Sequence, residues 1–506
     1  MESTTKLSTS DKGQTALNGA CIFERKYSEI TKTPIPISKA PKYRYRLVDC
    51  KSFADRESLR IFEFEDLPKH QYGAVSYVWR DLEPKKSVEY AIVDGTGGEG
   101  KFDVEVLHTI CVAMLGLGCD YLWMDILSIM EESKDDISWQ MQRMCDIYTL
   151  CKECLVVPGG IKRLADLSEE TTWIHRAWTL QEAVAPPSTQ CLFSWAGEDA
   201  KLQTNMETPI TVIQPGKAAV ADMKSLLESS FKGWCSVLDK NDNVIRESLE
   251  LKLLGKGPQL MALLGALDHK GTDGFQNAIW RSSFTRTAKF PADNVFSIMG
   301  ILGVTLDTKK FDVNDRLSPT IALMQGLLAK GGRIEWLGTA TRMPPNPQMS
   351  TIPAFTERSA STKRVVVNIE GEEQEVSDLM DGWWTIANTP QGQLDDSGYL
   401  TFKSRAVSIS EHSAGSDRTY LGSADRYEWD ISPKDEGEFR AVLVGTKEPY
   451  TNGVAPATMD PDDHILVIIR EHQLNKFDVL GYVFVPEEKL NVTGWYEETF
   501  TIGGPN

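Results

Sequence analysis

The chain is 506 residues long and strongly acidic, with 54 lysines and arginines against 72 aspartates and glutamates and a net charge of −18. This charge argues against a sequence-independent nucleic-acid binder, which needs a basic face to displace counterions, and equally against binding to an anionic membrane surface. The first twenty residues are polar, and the longest apolar stretch, residues 110–130, is interrupted by Asp120 and Asp125. We therefore expect a cytoplasmic protein of two or three domains, with neither nucleic acid nor a membrane as its partner.

Residues 1–40 are polar and end in a proline-rich run, which predicts a disordered or extended lead-in. From residue 41 to 200, short apolar runs alternate with segments of helical spacing. The predicted strands are 45–49, 59–64, 73–79, 121–129, 155–157 and 190–193, and the predicted helices are 103–117, 136–150 and 171–183. Such alternation is typical of a parallel sheet covered by helices, so we predict an α/β domain over residues 41–200.

The remaining chain changes character twice. Residues 201–335 are interpreted as a helical region, with predicted helices at 219–231, 246–254, 260–267, 293–302 and between Ser318 and Gly332. From residue 350 to 506, β-branched and aromatic runs are separated by clusters of Gly, Asp, Pro and Ser. This pattern predicts a β-rich C-terminal domain, either a small antiparallel sandwich or a barrel.

Nine cysteines are spaced irregularly, and all of them lie at or before position 235. An odd, irregular set is typical of reduced thiols in a cytosolic protein. Cys151 and Cys154 form a CxxC pair, which is either a redox or zinc motif or the end of a helix that leads into a strand. We favour the structural interpretation and predict no metal site, because no second CxxC and no pair of histidines at ligand spacing accompanies the pair.

Carboxylates are concentrated where the predicted strand 121–129 ends. Asp125 interrupts an otherwise apolar run, and an unpaired buried carboxylate costs several kcal/mol, so Asp125 needs either a structural partner, such as Arg176, or a catalytic role. Open α/β sheets bind ligands at the carboxyl ends of their strands. The acidic residues that follow are therefore candidate catalytic groups, or simply favourable charges at a helix N-terminus: Glu131, Glu132, Asp135 and Asp136.

Three blocks of sequence resemble the fungal heterokaryon-incompatibility (HET) domain: Tyr72–Trp79, Leu122–Tyr148 and Arg176–Glu182. Residues 290–300 also resemble a segment that often follows this domain. The polar groups at the strand exit depart from the family pattern, in which Gly, Cys, Asn, Gln and Glu are usual. In this chain those five positions hold Arg80, Ser128, Met130, Glu131 and Asp136.

The resemblance implies a flavodoxin/TIR-like parallel-sheet domain, because HET domains have been compared with TIR domains. Some TIR domains cleave the nicotinamide–ribose bond of NAD with a carboxylate near the edge of the sheet. By this comparison the chain is a candidate NAD glycohydrolase-like hydrolase with NAD as its substrate. The implied catalytic residues are Glu131, Asp136 and Asp125, and the implied ligand-binding residues are Trp79, Arg80, Arg176 and Glu182.

Three functions remain open at this stage. The first is an effector of non-self recognition and programmed cell death, in which partners are a second copy of the chain or another incompatibility protein. The second is a small-molecule tailoring enzyme of a fungal biosynthetic pathway. The third is a catalytically inert interaction module that works by self-association. Independently of the function, Trp123 and Trp178 lie in apolar runs and are expected to belong to the core.

Overall fold

The computed structural model of this chain describes residues 19–79, 82–83, 88, 90–96, 100–255, 257–380, 384–413, 415–424, 427–449 and 464–504. The first elements in chain order are β1 (Ala20–Lys26), β2 (Tyr45–Asp49), α1 (Cys50–Ala54), β3 (Ser58–Phe64), β4 (Tyr72–Tyr77), β5 (Tyr90–Ile92), β6 (Lys101–Asp103), α2 (Val104–Gly116), β7 (Tyr121–Trp123), α3 (Asp125–Ser128), α4 (Lys134–Leu150), β8 (Glu153–Val157), α5 (Trp178–Val184) and β9 (Thr189–Ser194).

The middle of the chain contains β10 (Ala200–Gln203), β11 (Glu207–Gln214), β12 (Ala218–Asp222), α6 (Met223–Lys232), β13 (Trp234–Asp239), β14 (Val244–Glu250), α7 (Pro258–Asp268), α8 (Phe275–Phe284), α9 (Asp293–Met299) and α10 (Leu317–Ala329). The last part contains β15 (Pro345–Asn346), β16 (Met349–Pro353), β17 (Glu357–Arg358), β18 (Val365–Ile369), β19 (Glu372–Glu375), α11 (Val376–Leu379), β20 (Trp384–Ala387), β21 (Gly392–Leu394), β22 (Tyr399–Glu411), β23 (Tyr420–Ala424), β24 (Tyr427–Ile431), β25 (Phe439–Pro449), β26 (His464–Gln473), β27 (Lys476–Val485) and β28 (Tyr496–Gly503).

A mixed sheet of 12 strands organises the first half of the described chain, in the order β1-β3-β2-β7-β4-β8-β9-β12-β11-β10-β13-β14. Its centre, β7-β4-β8-β9, is parallel, and antiparallel strands extend it on both sides. Side chains alternate between the two faces of a strand. Val75 of β4 accordingly packs in the apolar cluster that contains α2, whereas Ala74 packs in the one that contains α4. Helices therefore cover both faces of the parallel centre, which confirms an α/β arrangement.

The sheet continues past residue 200, so the prediction that residues 201–250 are helical was wrong. Residues 218–222 form the buried strand β12, and α6 begins only at Met223. The predicted helix 246–254 is instead β14, which lies at the edge of the sheet and is largely exposed. A short run of residues does not distinguish a strand from a helix by its pattern alone. Both segments are strands because each pairs with a neighbouring strand of the sheet. The later helices α7, α9 and α10 lie where they were predicted.

Residues 19–40, which are the described part of the predicted lead-in, are ordered and not disordered. Residues 20–26 form β1, which pairs antiparallel with β3. Ile30, Ile35 and Ile37 are buried, because the polar segment between β1 and β2 places its few apolar side chains in the core beneath α2. Residues 1–18 lie outside the described residues.

Two elements near the carboxylates are shorter than predicted. Strand β7 ends at Trp123, and residues 125–128 form the helical turn α3, in which the Ile129 amide donates to the Asp125 carbonyl over 2.8 Å. The predicted helix 171–183 is divided into a 3₁₀ turn, Trp173–His175, and α5. Both breaks place polar side chains at the carboxyl edge of the sheet instead of within a continuous element.

The C-terminal region is rich in strands, as predicted. Strand β22 pairs with both β28 and β25, and β25, β26, β27 and β28 pair in sequence, so these five strands form a closed ring. A closed ring corresponds to the barrel alternative. Residues of these strands, such as Val442 and Ile502, share one apolar cluster with α7–α10. The helices within the described ranges are all too short or too polar to traverse a lipid bilayer.

Candidate functional site

Asp125 follows β7 directly and is held by the neighbouring parallel strand β4. The Tyr77 hydroxyl donates to its Oδ1, the Trp79 indole Nε1 donates to its Oδ2 over 2.8 Å, and its own side chain accepts from the Ile126 amide over 2.7 Å. Burial raises the pKa of Asp125, and these three donors, together with the charge of Arg176, oppose the increase. Asp125 is thus fixed at the carboxyl edge of the sheet by two aromatic side chains.

Glu182 approaches the same edge from the other face of the sheet, on α5. Its Oε2 accepts from the Ser76 hydroxyl over 2.5 Å, and the Ser76 oxygen accepts from the indole of Trp173 over 2.8 Å. Burial raises the pKa of Glu182 to about 8 and Asp125 adds to this effect, whereas Ser76 and Arg176 oppose it. Glu182 is therefore largely protonated at neutral pH.

Glu131 lies in the turn between α3 and α4 and is exposed to solvent. Protein packed around its carboxyl group nevertheless removes part of its hydration, and this raises the pKa of Glu131 to about 7. The negative charges of Asp125 and Asp293 increase this pKa further, and Lys289 opposes them. Glu131 is therefore divided between ionised and neutral forms near neutral pH.

Arg176 is half-buried at the end of the 3₁₀ turn that precedes α5. Its positive charge lowers the pKa values of three carboxyl groups, those of Asp125, Glu182 and Asp293. Within the described part of the chain, no carboxylate oxygen lies within the 4.0 Å of an ion pair with it. Asp125 and Arg176 therefore do not form the predicted ion pair. The side chains that are bonded directly to Asp125 are those of Tyr77 and Trp79.

Asp136, the other sequence-predicted catalytic carboxylate, is buried in an ion pair with Arg46. The two Arg46 Nη atoms donate to the two carboxylate oxygens at 3.0 Å each. The amide of Tyr43 donates to Oδ1 over 3.0 Å and the amide of Met130 to Oδ2 over 3.1 Å. Each oxygen thus has two donors and no solvent, which favours a structural role for Asp136 over the predicted catalytic one.

Of the four predicted ligand-binding residues, three lie at the carboxyl edge of the sheet and one lies outside the described residues. Trp79 is half-buried, with its nitrogen bonded to Asp125 and its rings packed beside the α2 cluster. Arg80 lies outside the described residues. The structure brings Asp125, Glu131, Trp79, Arg176 and Glu182 to one edge of the sheet.

Three residues of this edge were not predicted from the sequence, namely Ser76, Tyr77 and Asp293. Ser76 and Tyr77 belong to the first resembling block, and they were assigned only to a buried strand. Burial raises the pKa of Asp293 to about 6, and the charge of Arg176 opposes the increase. The signal for Asp293 was its position inside segment 290–300.

Four carboxyl groups with shifted pKa values at one edge, those of Asp125, Glu131, Glu182 and Asp293, suit acid–base chemistry, because one accepts a proton while another retains it. Within the described ranges, no three His, Cys, Asp or Glu side chains are arranged to hold a metal ion. An open depression of about 480 Å³ lies elsewhere, beside α4 and residues 305–309, and is lined by residues such as Tyr43, Trp139 and Lys309. Its lining includes none of the residues at the carboxyl edge.

Comparison with known protein families gives a match over part of the chain. Residues 72–168 match the family model described as "Heterokaryon incompatibility protein (HET)". The match contains the first two resembling blocks and therefore Asp125, Glu131 and Trp79, while Arg176 and Glu182 lie beyond it. No curated protein and no solved structure matches the chain.

Proposed function

We propose that this protein, which carries a heterokaryon incompatibility (HET) domain at residues 72–168, is an effector of fungal non-self recognition and programmed cell death that cleaves NAD. The observation that carries the proposal is the junction at which Tyr77 and Trp79 hold Asp125, with Glu131 and Glu182 facing it. Strongly shifted carboxyl groups that converge at a sheet edge are characteristic of functional sites.

The strand order supports a flavodoxin/TIR-like arrangement. Counted along the chain, the parallel strands β4, β7, β8 and β9 are first to fourth, and their spatial order is second, first, third, fourth. This is the order of flavodoxin-like sheets, in which ligands bind at the carboxyl ends of the strands where the order reverses. Tyr77 ends the first of these strands, which borders the point of reversal, and Asp125 follows the adjacent second strand and accepts from the Tyr77 hydroxyl.

The proposed reaction is hydrolysis of the bond between ribose C1′ and the nicotinamide nitrogen. This bond breaks heterolytically, and its electron pair passes to the ring nitrogen, so nicotinamide leaves as a neutral molecule. The ionised form of Glu131 stabilises the cation left on ribose, as carboxylates do in glycoside cleavage, and accepts the proton of the water that attacks C1′. The products are ADP-ribose and nicotinamide.

Other residues at the edge have supporting roles in this proposal. Trp79 provides an aromatic surface for a planar ring, with its orientation fixed by the bond to Asp125. Arg176 has a guanidinium that is not paired with a carboxylate of the described chain, and a guanidinium suits a phosphate of the dinucleotide. Glu182, largely protonated, limits the negative charge that a dinucleotide phosphate meets.

The direct test is release of nicotinamide from NAD by purified full-length protein, followed by chromatography. We expect release by the wild type and at least a hundredfold slower release by Glu131→Gln, because removal of an acid–base group commonly costs about 10²–10⁴ in rate. Glu132→Gln, the same change at the adjacent exposed residue, is the matched control and should retain the wild-type rate.

Folding of each variant is checked by its circular-dichroism spectrum and thermal midpoint. Equal rates for wild type and Glu131→Gln would remove Glu131 from the site. No nicotinamide release from wild-type protein, at any pH between 5 and 9 in this assay, would contradict NAD cleavage and favour a non-catalytic interaction module.

A further inference from the structure

We propose that Arg286 is a positioning residue of the site at the carboxyl edge and that it positions Glu182 through a continuous relay of hydrogen bonds. The relay passes from Arg286 to Glu182 through Thr179, Trp173 and Ser76. Arg286 lies just after α8, more than a hundred residues beyond the end of the family match at residue 168. The consequence for NAD cleavage rests on the proposed function, whereas the relay itself is tested without any activity.

The first half of the relay is at the N-terminal end of α5. Arg286 Nη1 donates to the Arg176 carbonyl over 3.0 Å and to the Thr179 hydroxyl over 2.7 Å. A guanidinium has only donors, so the Thr179 oxygen is the acceptor and its own proton is left for a carbonyl. The Thr179 hydroxyl lies 2.8 Å from the carbonyl oxygens of both Trp173 and Arg176. Arg286 and Thr179 therefore hold the 3₁₀ turn Trp173–His175 against the start of α5.

The second half of the relay leads from this turn to the site. The indole Nε1 of Trp173 donates to the Ser76 oxygen over 2.8 Å, and the Ser76 hydroxyl donates to Glu182 Oε2 over 2.5 Å. Because an indole N–H can only donate, Ser76 accepts from Trp173 and its single proton is directed to Glu182. Trp173 and Ser76 are both fully buried, so solvent does not compete for these bonds. The turn that Arg286 holds thus sets the hydrogen bond that orients Glu182.

Further hydrogen bonds fix the main chain at Arg286. The amide of Ala177 donates to the Thr287 carbonyl over 2.9 Å, and the amide of Thr287 donates to the His175 carbonyl over 2.8 Å. The Thr356 hydroxyl donates to the Arg286 carbonyl over 3.1 Å. The backbone beside Arg286 is therefore bonded to the same turn as its guanidinium, so the side chain acts from a fixed position.

Lys270 holds the other end of α5. Its Nζ donates to the carbonyls of Val184, Ala185 and Pro186 over 2.7, 3.2 and 2.9 Å. The last carbonyls of a helix have no partner within the helix, and a cation at this end also interacts favourably with the helix dipole. Glu182 lies between the two ends, so the helix that carries it is held from both sides by residues outside the HET match.

Two substitutions interrupt the relay with little change of shape. Arg286→Met removes the donors and replaces a fully buried guanidinium, whose Nη2 has no hydrogen-bond partner among the described residues, by an apolar chain of similar length. Such replacements of buried charges are commonly tolerated. Thr179→Val keeps the shape and removes the hydroxyl, whereas Thr179→Ser keeps the hydroxyl. The matched control is Thr320→Val, at a buried threonine of α10 whose hydroxyl donates to the Arg316 carbonyl over 2.6 Å.

The deciding experiment measures hydrogen exchange of the Trp173 indole N–H by NMR in full-length, deuterated protein with ¹⁵N-labelled tryptophan. Trp173→Phe assigns the signal. Exchange requires local opening of the bond to Ser76, so its rate reports how firmly the turn is held. The internal reference is the indole of Trp495 in the C-terminal region, which donates to the Lys489 carbonyl over 2.9 Å.

We expect the Trp173 indole to exchange about tenfold faster in Arg286→Met and in Thr179→Val, which is the scale of one lost hydrogen bond. Thr179→Ser should restore the wild-type rate, because it restores both the acceptor and the donor of the relay. Thr320→Val should also show the wild-type rate. The Trp495 indole should exchange equally in all of these proteins.

The same variants are assayed for nicotinamide release as a function of NAD concentration. In the proposed function Arg176 and Glu182 affect binding of the dinucleotide, so loss of the relay should raise KM by roughly two- to tenfold and leave kcat within about twofold of the wild type. A substitution that only reduced the amount of folded protein would lower kcat and leave KM unchanged. That result would contradict a positioning role for Arg286.

An unchanged exchange rate of the Trp173 indole in Arg286→Met and Thr179→Val would overturn the inference. Equal acceleration of the Trp173 and Trp495 indoles would also overturn it, because both would then report a loss of global stability. If wild-type protein releases no nicotinamide while the Trp173 indole responds as expected, the proposed function is refuted and the relay from Arg286 to Glu182 stands.

Discussion

Arg46 and Asp136 form a fully buried, bidentate ion pair that links β2 to the start of α4. The pair also fixes the turn that leads to Glu131. Arg46 donates to the Ser128 carbonyl over 2.5 Å, the Ser128 hydroxyl donates to the Arg46 carbonyl over 2.7 Å, and the Met130 amide donates to Asp136. A carboxylate that was expected to be catalytic therefore has the geometry of a support for its neighbour.

The first prediction is that Asp136→Asn destabilises the protein by about 3–5 kcal/mol, because it leaves the Arg46 guanidinium buried without a counter-charge. Denaturant unfolding followed by tryptophan fluorescence measures the change. The exposed pair Arg44–Glu65, whose side chains are 37% and 79% exposed, provides the control. Glu65→Gln should cost no more than about 1 kcal/mol. Equal effects of the two substitutions would contradict a structural role for the buried pair.

The sequence predicted the frame of this region better than its contacts. The starts of the parallel strands and of the helices α2 and α4 follow from local periodicity and were predicted within a few residues, whereas the end of β7 was not. The partners of Asp125 depend instead on which strand lies beside β7, and β4 could be placed there only from the tertiary structure. The buried pairing of Asp136 could not be predicted for the same reason, since its partner Arg46 is 90 residues away in the chain. Asp293 is more distant still, and no local pattern joins it to the site.

The second prediction concerns Tyr77, whose hydroxyl donates to Asp125. Tyr77→Phe keeps the ring in the core and leaves a buried carboxylate oxygen with one donor fewer, so we expect a loss of about 1–3 kcal/mol in the free energy of unfolding. In the wild type, the hydrogen bond from Tyr77 lowers the pKa of Asp125. Loss of this bond should therefore raise the pKa of Asp125 further above its ordinary value. Thermal unfolding of the variant measures the first effect. Tyr427→Phe, at a residue that is 54% exposed, should stay within about 0.5 kcal/mol of the wild type.

The third prediction is a pattern of thiol reactivity. All nine cysteines are free, with Cys21 exposed and Cys145 half-buried, and the others are buried. Burial also raises the pKa of Cys145, so its reactive thiolate is scarce at neutral pH. Titration of native protein with Ellman's reagent should show one fast thiol, and the full set of nine should react only after unfolding. Cys21→Ser should abolish the fast phase, and a fast phase that survives this substitution would contradict the burial of the remaining thiols.

The last prediction is a pH dependence of stability that comes from Glu182. Its pKa is about 8 in the folded protein, against an ordinary glutamate value of 4.5. Between these two values the folded state holds a proton that the unfolded state has lost. The stability that this proton provides is complete below pH 4.5 and is lost as the pH rises toward 8. Glu182→Gln cannot titrate, so the stability of wild type relative to this variant should fall across that range by at most about 1.4 kcal/mol per pH unit.

Glu105→Gln is the control for this titration, because the pKa of Glu105 is shifted in the opposite direction to the pKa of Glu182. Arg56 is the main cause that lowers the pKa of Glu105 to about 2, so Glu105 is ionised in both the folded and the unfolded state above its ordinary pKa of 4.5. The difference between wild type and Glu105→Gln should therefore be constant between pH 5 and 8 and decrease only under more acidic conditions. Urea unfolding at closely spaced pH values measures both differences. A flat profile for Glu182→Gln would show that Glu182 is ionised in the folded protein, and Glu182 could then not be the protonated member of the site.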